Sequence, residues 1–201
     1  MRDRPGPREE LDEFTLARAQ RGDPAAAESF VRCYERQVFA LLGRMLSPRG
    51  LGGLVEDLAQ ETFVRALGAL PRFQREGAAR LSTWVLCIAS RRAINELSRV
   101  RPPIEPLPEA PAEGPQGEGW VEQQEHRRAI AAAVAELSPE QQAVFVLREF
   151  HGLDDAAVAK ALELEIGAVK SRMHRARQQL RRALDAHHRG TPVKETADVE
   201  R

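Results

Sequence analysis

Residues 153–180 read LDDAAVAKALELEIGAVKSRMHRARQQL. Two helical patterns share this stretch, with a short break at 163–165 between them. From 166 to 177, Lys170, Arg172, His174, Arg175 and Arg177 follow one another with no acidic residue among them. At ~100° per residue, Val169, Met173, Ala176, Leu180 and Leu184 fall within one stripe ~80° wide. Ser171, Arg175, Gln178 and Arg182 lie opposite it. Lys170, His174, Arg177 and Arg181 flank that opposite face on one side and Arg172 on the other. Such a helix packs by one face and turns a cationic, hydrogen-bonding face outward. In the helix before it, Val158 and Leu162 are placed to meet Leu164 and Val169, and Ala159 is small enough for a close crossing. The pattern predicts a helix-turn-helix that presents its second helix to a DNA major groove. Arginine can bridge guanine bidentately, while lysine and serine fix phosphates. Glu163 is a misfit, because it occupies the turn position where the left-handed backbone favours glycine, at a cost of about 1 kcal/mol.

Charge follows the same division. The chain has 30 Lys and Arg against 30 Asp and Glu, a formal net charge of zero. Residues 138–165 nevertheless hold six acidic and two basic residues, and 166–189 hold seven basic and one acidic. A local positive patch decides polyanion binding more than the sum does. Upstream, Ser138-Pro139-Glu140-Gln141 is a capping-box signature with proline in the first turn, and it opens a helix through Phe150. His151-Gly152 ends that helix, and Asp154 caps a short one over 155–162. A helix over about 120–136 precedes this group, and a polar tail follows from 188.

The first half is also helical. Residues 1–10 are rich in proline and charge and are expected to be disordered. A helix is predicted over about 11–21. Asp23-Pro24 then opens a second, on which Phe30, Val31, Tyr34, Val38, Leu41, Leu42 and Met45 recur at helical spacing. SPRGLGG (47–53) breaks it. Leu58, Ala59, Thr62, Phe63, Ala66, Leu67 and Leu70 mark a third, ended by Pro71. RFQREGAAR leads to a fourth over about 82–99. Residues 101–119 contain six prolines, three glycines and four glutamates, the composition of a solvated linker. The expected fold is all-α: a helical domain over 11–100, a flexible linker over 101–119, a helix-turn-helix domain over 120–187 and a tail over 188–201. Good helix formers dominate throughout, and strand-favouring runs are missing.

Several classes of function lack their signatures. Cys33 and Cys87 are far apart in apolar helical contexts, with no CxxC or Cys/His cluster, so buried thiols are expected and no zinc site. No phosphate loop, nucleophile elbow or H-E-x-x-H occurs, and His187-His188 reads as a solvated pair. The expectation is a protein with no catalytic residues, metal or cofactor. No signal peptide and no apolar run near ~18 residues occur, so no membrane insertion and a cytoplasmic location are expected.

Two separated motifs carry a resemblance. VEDLAQETFVRAL (55–67) and LSPEQQAVFVLREFHGLDDAAVAKALELEIGAVKSRMHRARQQLRRAL (137–184) resemble regions two and four of the extracytoplasmic-function (group IV) sigma factors of bacterial RNA polymerase. Their order and the linker between them fit as well. The resemblance implies an initiation factor that binds core RNA polymerase and directs promoter-specific initiation at −35 and −10 elements, helping DNA to melt. It implies docking of Asp57, Leu58, Gln60 and Glu61 on the β′ coiled coil, and an association of region four with the β flap. Asp57, Gln60 and Glu61 also share a helix face by their own spacing. For the −10 element it implies the loop 73–80 and the following helix, with Phe73, Thr83, Trp84, Arg91, Arg92, Asn95 and Arg99. A stacking ring, cations and an amide suit single-stranded DNA. For the −35 element it implies Lys170, Ser171, Arg172, His174, Arg175, Arg177 and Arg181. The linker would thread the polymerase cleft, and an anti-sigma factor would be a partner.

The chain departs from the family's pattern at two places. It reads IASR at 88–91 where IARN is common, so Arg91 stands at the usual asparagine, and LSTW at 81–84 puts Ser82 at a usual arginine. Two other readings stay open on the residues. One is a sigma mimic that captures an anti-sigma factor, which should lose the basic face. The other is a free-standing helix-turn-helix regulator, which leaves 55–67 unexplained.

Overall fold

The computed structural model describes residues 10–74, 80–99 and 129–190, with side chains to 185. Every regular element among them is helical: α1 (Glu13–Gln20), α2 (Pro24–Leu46), α3 (Val55–Ala69), α4 (Leu81–Arg99), α5 (129–135), α6 (Pro139–Glu149), α7 (Asp155–Leu162) and α8 (Ile166–Gly190). Short 3-10 turns, Ser47–Arg49, Gly52–Leu54 and Leu70–Arg72, lie where proline and glycine interrupt the helices. The expected linker 101–119, most of the expected disordered segment 1–10 and the tail from 191 fall outside the described residues.

Capping residues set the helix starts. The Asp12 carboxylate accepts from Thr15 N–H at the head of α1, and Asp23 accepts from the Ala25 and Ala26 N–H groups at the head of α2. Ser138 and Gln141 form the reciprocal capping box of α6, and Asp154 accepts from Ala157 N–H to start α7. At the other end of α6, Gly152 takes φ 57° and turns the chain so that Leu153 N–H reaches Leu147 C=O at 3.0 Å.

The Asp23 carboxyl is also held below its ordinary pKa, first by the hydrogen bond from Arg18 and then by the Ala26 N–H. A group whose folded pKa is depressed contributes stability above its unfolded pKa and loses it as pH falls through the folded value. Acidification below about pH 4 should therefore weaken the α1–α2 corner. Asp23→Asn should lose part of that pH dependence, read as melting temperature against pH.

The N-terminal core is built on α2. Phe30, Val38, Leu41, Leu42, Met45 and Leu46 are fully buried there, and α3 adds Leu58, Ala59, Phe63 and Ala66. Phe30 meets Tyr34 and Phe63 edge to face, with centroids 5.2 and 6.4 Å apart. α4 closes the bundle with Leu81, Val85, Leu86, Ala89 and Ala93.

The two halves touch. α6 and α7 pack on α2 and α4, and Ala143, Val144, Leu147 and Val158 belong to the same apolar cluster as Phe30. Gln142 is fully buried at this junction and donates Nε2–H to the C=O groups of Met45 (2.9 Å) and Arg44 (3.1 Å). Those are last-turn carbonyls of α2, which have no partner within their own helix. A second cluster, formed by Ala133, Val134, Leu137, Ala176 and Leu180, fastens α8 to α5.

Candidate nucleic-acid interface

α7, the turn at 163–165 and α8 form the expected helix-turn-helix. Val158, Val169 and Ala176 are buried to the last few per cent, and Ala159 and Met173 nearly so, as the crossing requires. Glu163 does adopt the left-handed backbone, φ 55° and ψ 48°, and no other non-glycine among the described residues has positive φ. Its N–H and that of Leu164 both reach Ala159 C=O, which stops α7.

This geometry turns the cations outward. Lys170, His174, Arg175, Arg177 and Arg181 are exposed, and Ser171 and Arg172 are half-buried. Arg175 donates Nη2–H to Ser171 Oγ at 2.7 Å, so the guanidinium lies along the first turns of α8, the end that enters a major groove. Arg177 behaves differently. It is paired with Glu149 of α6 at 2.7 Å. Arg148 and Asp155, 2.6 Å apart, tie α6 to the first turn of α7.

On α3, Asp57, Gln60 and Glu61 stand exposed on one face. Leu58 lies behind them at 4 % exposure, so its side chain backs the surface from the core rather than forming part of it. Glu61 pairs with Arg92 of α4. Sequence reading put these two residues on separate surfaces, and the structure joins them.

The residues expected at the −10 strand spread along α4 and the loop before it. Phe73 and Trp84 pack with ring centroids 5.0 Å apart and planes tilted 47°, both half-buried. Thr83 is half-buried beside them, while Asn95 and Arg99 are exposed farther along the helix. From Trp84 to Arg99 the axial distance is ~22 Å, so the set forms a track and not a single pocket. Arg72 and Arg80 border the same cleft as Phe73 and Trp84, and they add cations to a ring platform. Residues 75–79 of the expected base-capturing loop lie outside the described residues.

Glu10 was missed by sequence reading, which placed it in a disordered segment. Its carboxylate accepts from Leu81 N–H at 3.1 Å, Ser82 N–H at 3.4 Å and Ser82 Oγ–H, and so caps α4 from a distance in sequence. No local pattern encodes a cap 71 residues away. Gln20 likewise steadies the loop entry, donating to Leu70 C=O at 3.2 Å and Phe73 C=O at 2.8 Å.

Both cysteines are free thiols, Cys87 buried and Cys33 half-buried. Burial pushes the Cys87 pKa up. Among the described residues, no cluster of His, Cys, Asp and Glu could hold a metal ion, and no helix is long and apolar enough to cross a membrane.

Comparison with known proteins agrees with this arrangement. Residues 30–102 match the family model for sigma-70 region 2, and 127–180 match that for sigma-70 region 4. The ECF RNA polymerase sigma factor SigC of Mycobacterium tuberculosis is 29 % identical over 168 residues, 81 % of this chain and 85 % of that protein. The ECF RNA polymerase sigma-E factor of Escherichia coli K12 is 28 % identical over 181 residues, 84 % of this chain and 92 % of that protein. CnrH, solved in complex with the cytosolic domain of CnrY, is 26 % identical with a TM-score of 0.62, covering 87 % of this chain and 97 % of its own. The Bartonella quintana sigma factor RpoE, solved with the anti-sigma factor NepR, shares the fold at a TM-score of 0.57 and 22 % identity, over 79 % of this chain and 98 % of its own.

Proposed function

The chain belongs to the extracytoplasmic-function group of the sigma-70 family of RNA polymerase sigma factors, and on that premise we propose how its residues divide the work of promoter-specific initiation. One observation carries the division: the acidic face of α3 and the cationic face of α8 are both exposed, on opposite halves of one chain.

Asp57, Gln60 and Glu61 dock on core RNA polymerase, with Leu58 holding their helix against the core. Arg175 and Arg172 read −35 base edges from the major groove, while Lys170, Ser171, His174, Arg177 and Arg181 hold the register on phosphate and sugar. Phe73 and Trp84 receive unstacked −10 bases, and Thr83, Arg91, Arg92, Asn95 and Arg99 follow the opened strand. Stacking and backbone contacts would offset an unpairing cost of a few kcal/mol per base. The protein then acts by binding alone, in the cytoplasm, with no cofactor. Region four would also meet the β flap, and an anti-sigma factor belongs to the same reading, supported by the solved pairing of the similar protein CnrH with CnrY. A mimic that only captures an anti-sigma factor has no use for the exposed cations of α8.

Asp57→Ala with Gln60→Ala tests the docking face without disturbing the Glu61–Arg92 pair. The expected result is core-polymerase affinity lowered about 5- to 50-fold with melting temperature unchanged, as for truncation of two adjacent interface anchors. Unchanged affinity in a fluorescence-anisotropy titration would remove α3 from the docking surface.

A further inference from the structure

Two side chains from the start of the chain hold the backbone beside Phe73 and Trp84. Gln20, the last residue of α1, donates Nε2–H to Phe73 C=O at 2.8 Å and to Leu70 C=O at 3.2 Å. Glu10, two residues before the Asp12 cap of α1, accepts from the Leu81 and Ser82 N–H groups at 3.1 and 3.4 Å and from the Ser82 hydroxyl. One ring of the pair is thus fixed through its own carbonyl. The other is fixed through its helix, because Trp84 lies in the first turn of α4.

Each contact is of a kind that sets position. The N–H groups of a first helical turn have no partner inside the helix, and a carboxylate there also meets the positive end of the helix dipole. Ser82 is fully buried, so its hydroxyl needs an acceptor, and Glu10 supplies it. Gln20 meets carbonyls at the 3-10 turn Leu70–Arg72 and just after it, where no α-helical ladder holds the backbone. Glu10 is itself held. The hydroxyl of fully buried Tyr34 lies 3.5 Å from Glu10 Oε2 and accepts from Leu11 N–H at 3.0 Å. Leu11, Leu16 and Ala19 are buried as well, and α1 packs on α2.

We propose that Glu10 and Gln20 are positioning residues for −10 recognition. With α1 between them they form a splint across the two anchors, which sets the distance and tilt at which the Phe73 and Trp84 rings receive an unstacked base. This rests on the assignment of Phe73 and Trp84 to the −10 strand. Neither splint residue touches DNA; each acts through the backbone beside a ring. A displacement of about an ångström spoils the fit of a base between two rings, while the cations farther along α4 still reach phosphate.

The experiment uses the full chain in holoenzyme with bacterial core RNA polymerase. The templates are the strongest promoter that the unmodified chain selects from genomic fragments, and copies with the −10 or the −35 element scrambled. Glu10→Ala and Gln20→Ala should each lower the preference for the intact over the scrambled −10 element about three- to tenfold, with the −35 preference unchanged. Glu10→Gln, which keeps one acceptor oxygen, should recover part of the loss. Ser82→Ala should add little on top of Glu10→Ala. In a Trp120→Phe background Trp84 is the remaining tryptophan, and its emission should move to longer wavelength in both splint variants well below their melting temperatures.

Both variants should also melt lower, so Met45→Ala supplies the comparison. It truncates a fully buried side chain in the last turn of α2 and should melt lower yet keep its −10 preference and its Trp84 emission. If Glu10→Ala and Gln20→Ala change only the melting temperature, as Met45→Ala does, the splint is overturned and the two residues are structural caps alone. Loss of −10 preference in Trp84→Ala but in neither splint variant also overturns the splint and leaves the −10 assignment standing. If Trp84→Ala keeps its −10 preference, the assignment itself falls and takes the splint with it.

Discussion

Phe30→Ala should lower the unfolding free energy by about 3–5 kcal/mol, the range for removing a buried aromatic from a packed core. Phe30 is fully buried and touches both Tyr34 on its own helix and Phe63 on α3. Truncation leaves a cavity between α2 and α3 that neither helix can fill without moving. The functional consequence follows from the position of α3, whose outer face carries Asp57, Gln60 and Glu61. Urea titration followed by circular dichroism gives the free energy. Phe30→Leu, which keeps most of the volume, should recover more than half of it. A loss under about 1 kcal/mol for Phe30→Ala would mean that the α2–α3 contact is not the support described here.

Arg175→Ala should weaken −35-dependent initiation about 5- to 150-fold, the span of ~1–3 kcal/mol for one bidentate base contact. Its folded-state partner is Ser171, one turn away on an exposed face, so its removal leaves no buried group unsatisfied and stability should hold. The discriminating measurement compares an intact −35 element with a scrambled one, using the same −10 element in both. Loss confined to the intact element shows base readout. Equal loss on both would reduce Arg175 to a phosphate contact. Lys170→Ala supplies the contrast, because it should weaken both templates alike and lower the slope of affinity against salt concentration by about one.

Elements specified by local chemistry were legible in the sequence. Asp23-Pro24, Ser138-Pro139 and Asp154 each cap the helix that their spacing predicts, and the apolar stripes of α2, α3 and α8 are the buried ones. The helix-turn-helix was readable because its requirements are short-range: a small residue at the crossing, apolar contacts on two faces and a turn between them. The left-handed backbone at Glu163 was legible for the same reason, and the structure confirms it.

Contacts between distant segments were not legible. Glu10 lies 71 residues from the helix it caps, and Arg91 lies 70 from the carbonyl it meets. Such pairs depend on how segments far apart in sequence pack, and no periodicity encodes that packing. The same cause moved several expected binding residues. Arg177, Arg91 and Arg92 carry charge toward solvent in a one-helix projection, yet each finds a carboxylate outside its own helix. Leu58 lies on the apolar stripe that periodicity marks and is buried there, so the docking role the resemblance implies for it can act only from behind the exposed face.

The central claim is that this chain directs initiation through two separate recognition surfaces. In vitro transcription with bacterial core RNA polymerase and a pool of genomic fragments, including the region upstream of the protein's own gene, tests it most directly. The account predicts discrete start sites that depend on the protein and share a −35 and a −10 sequence at fixed separation. Core binding with no start site on any fragment would contradict it.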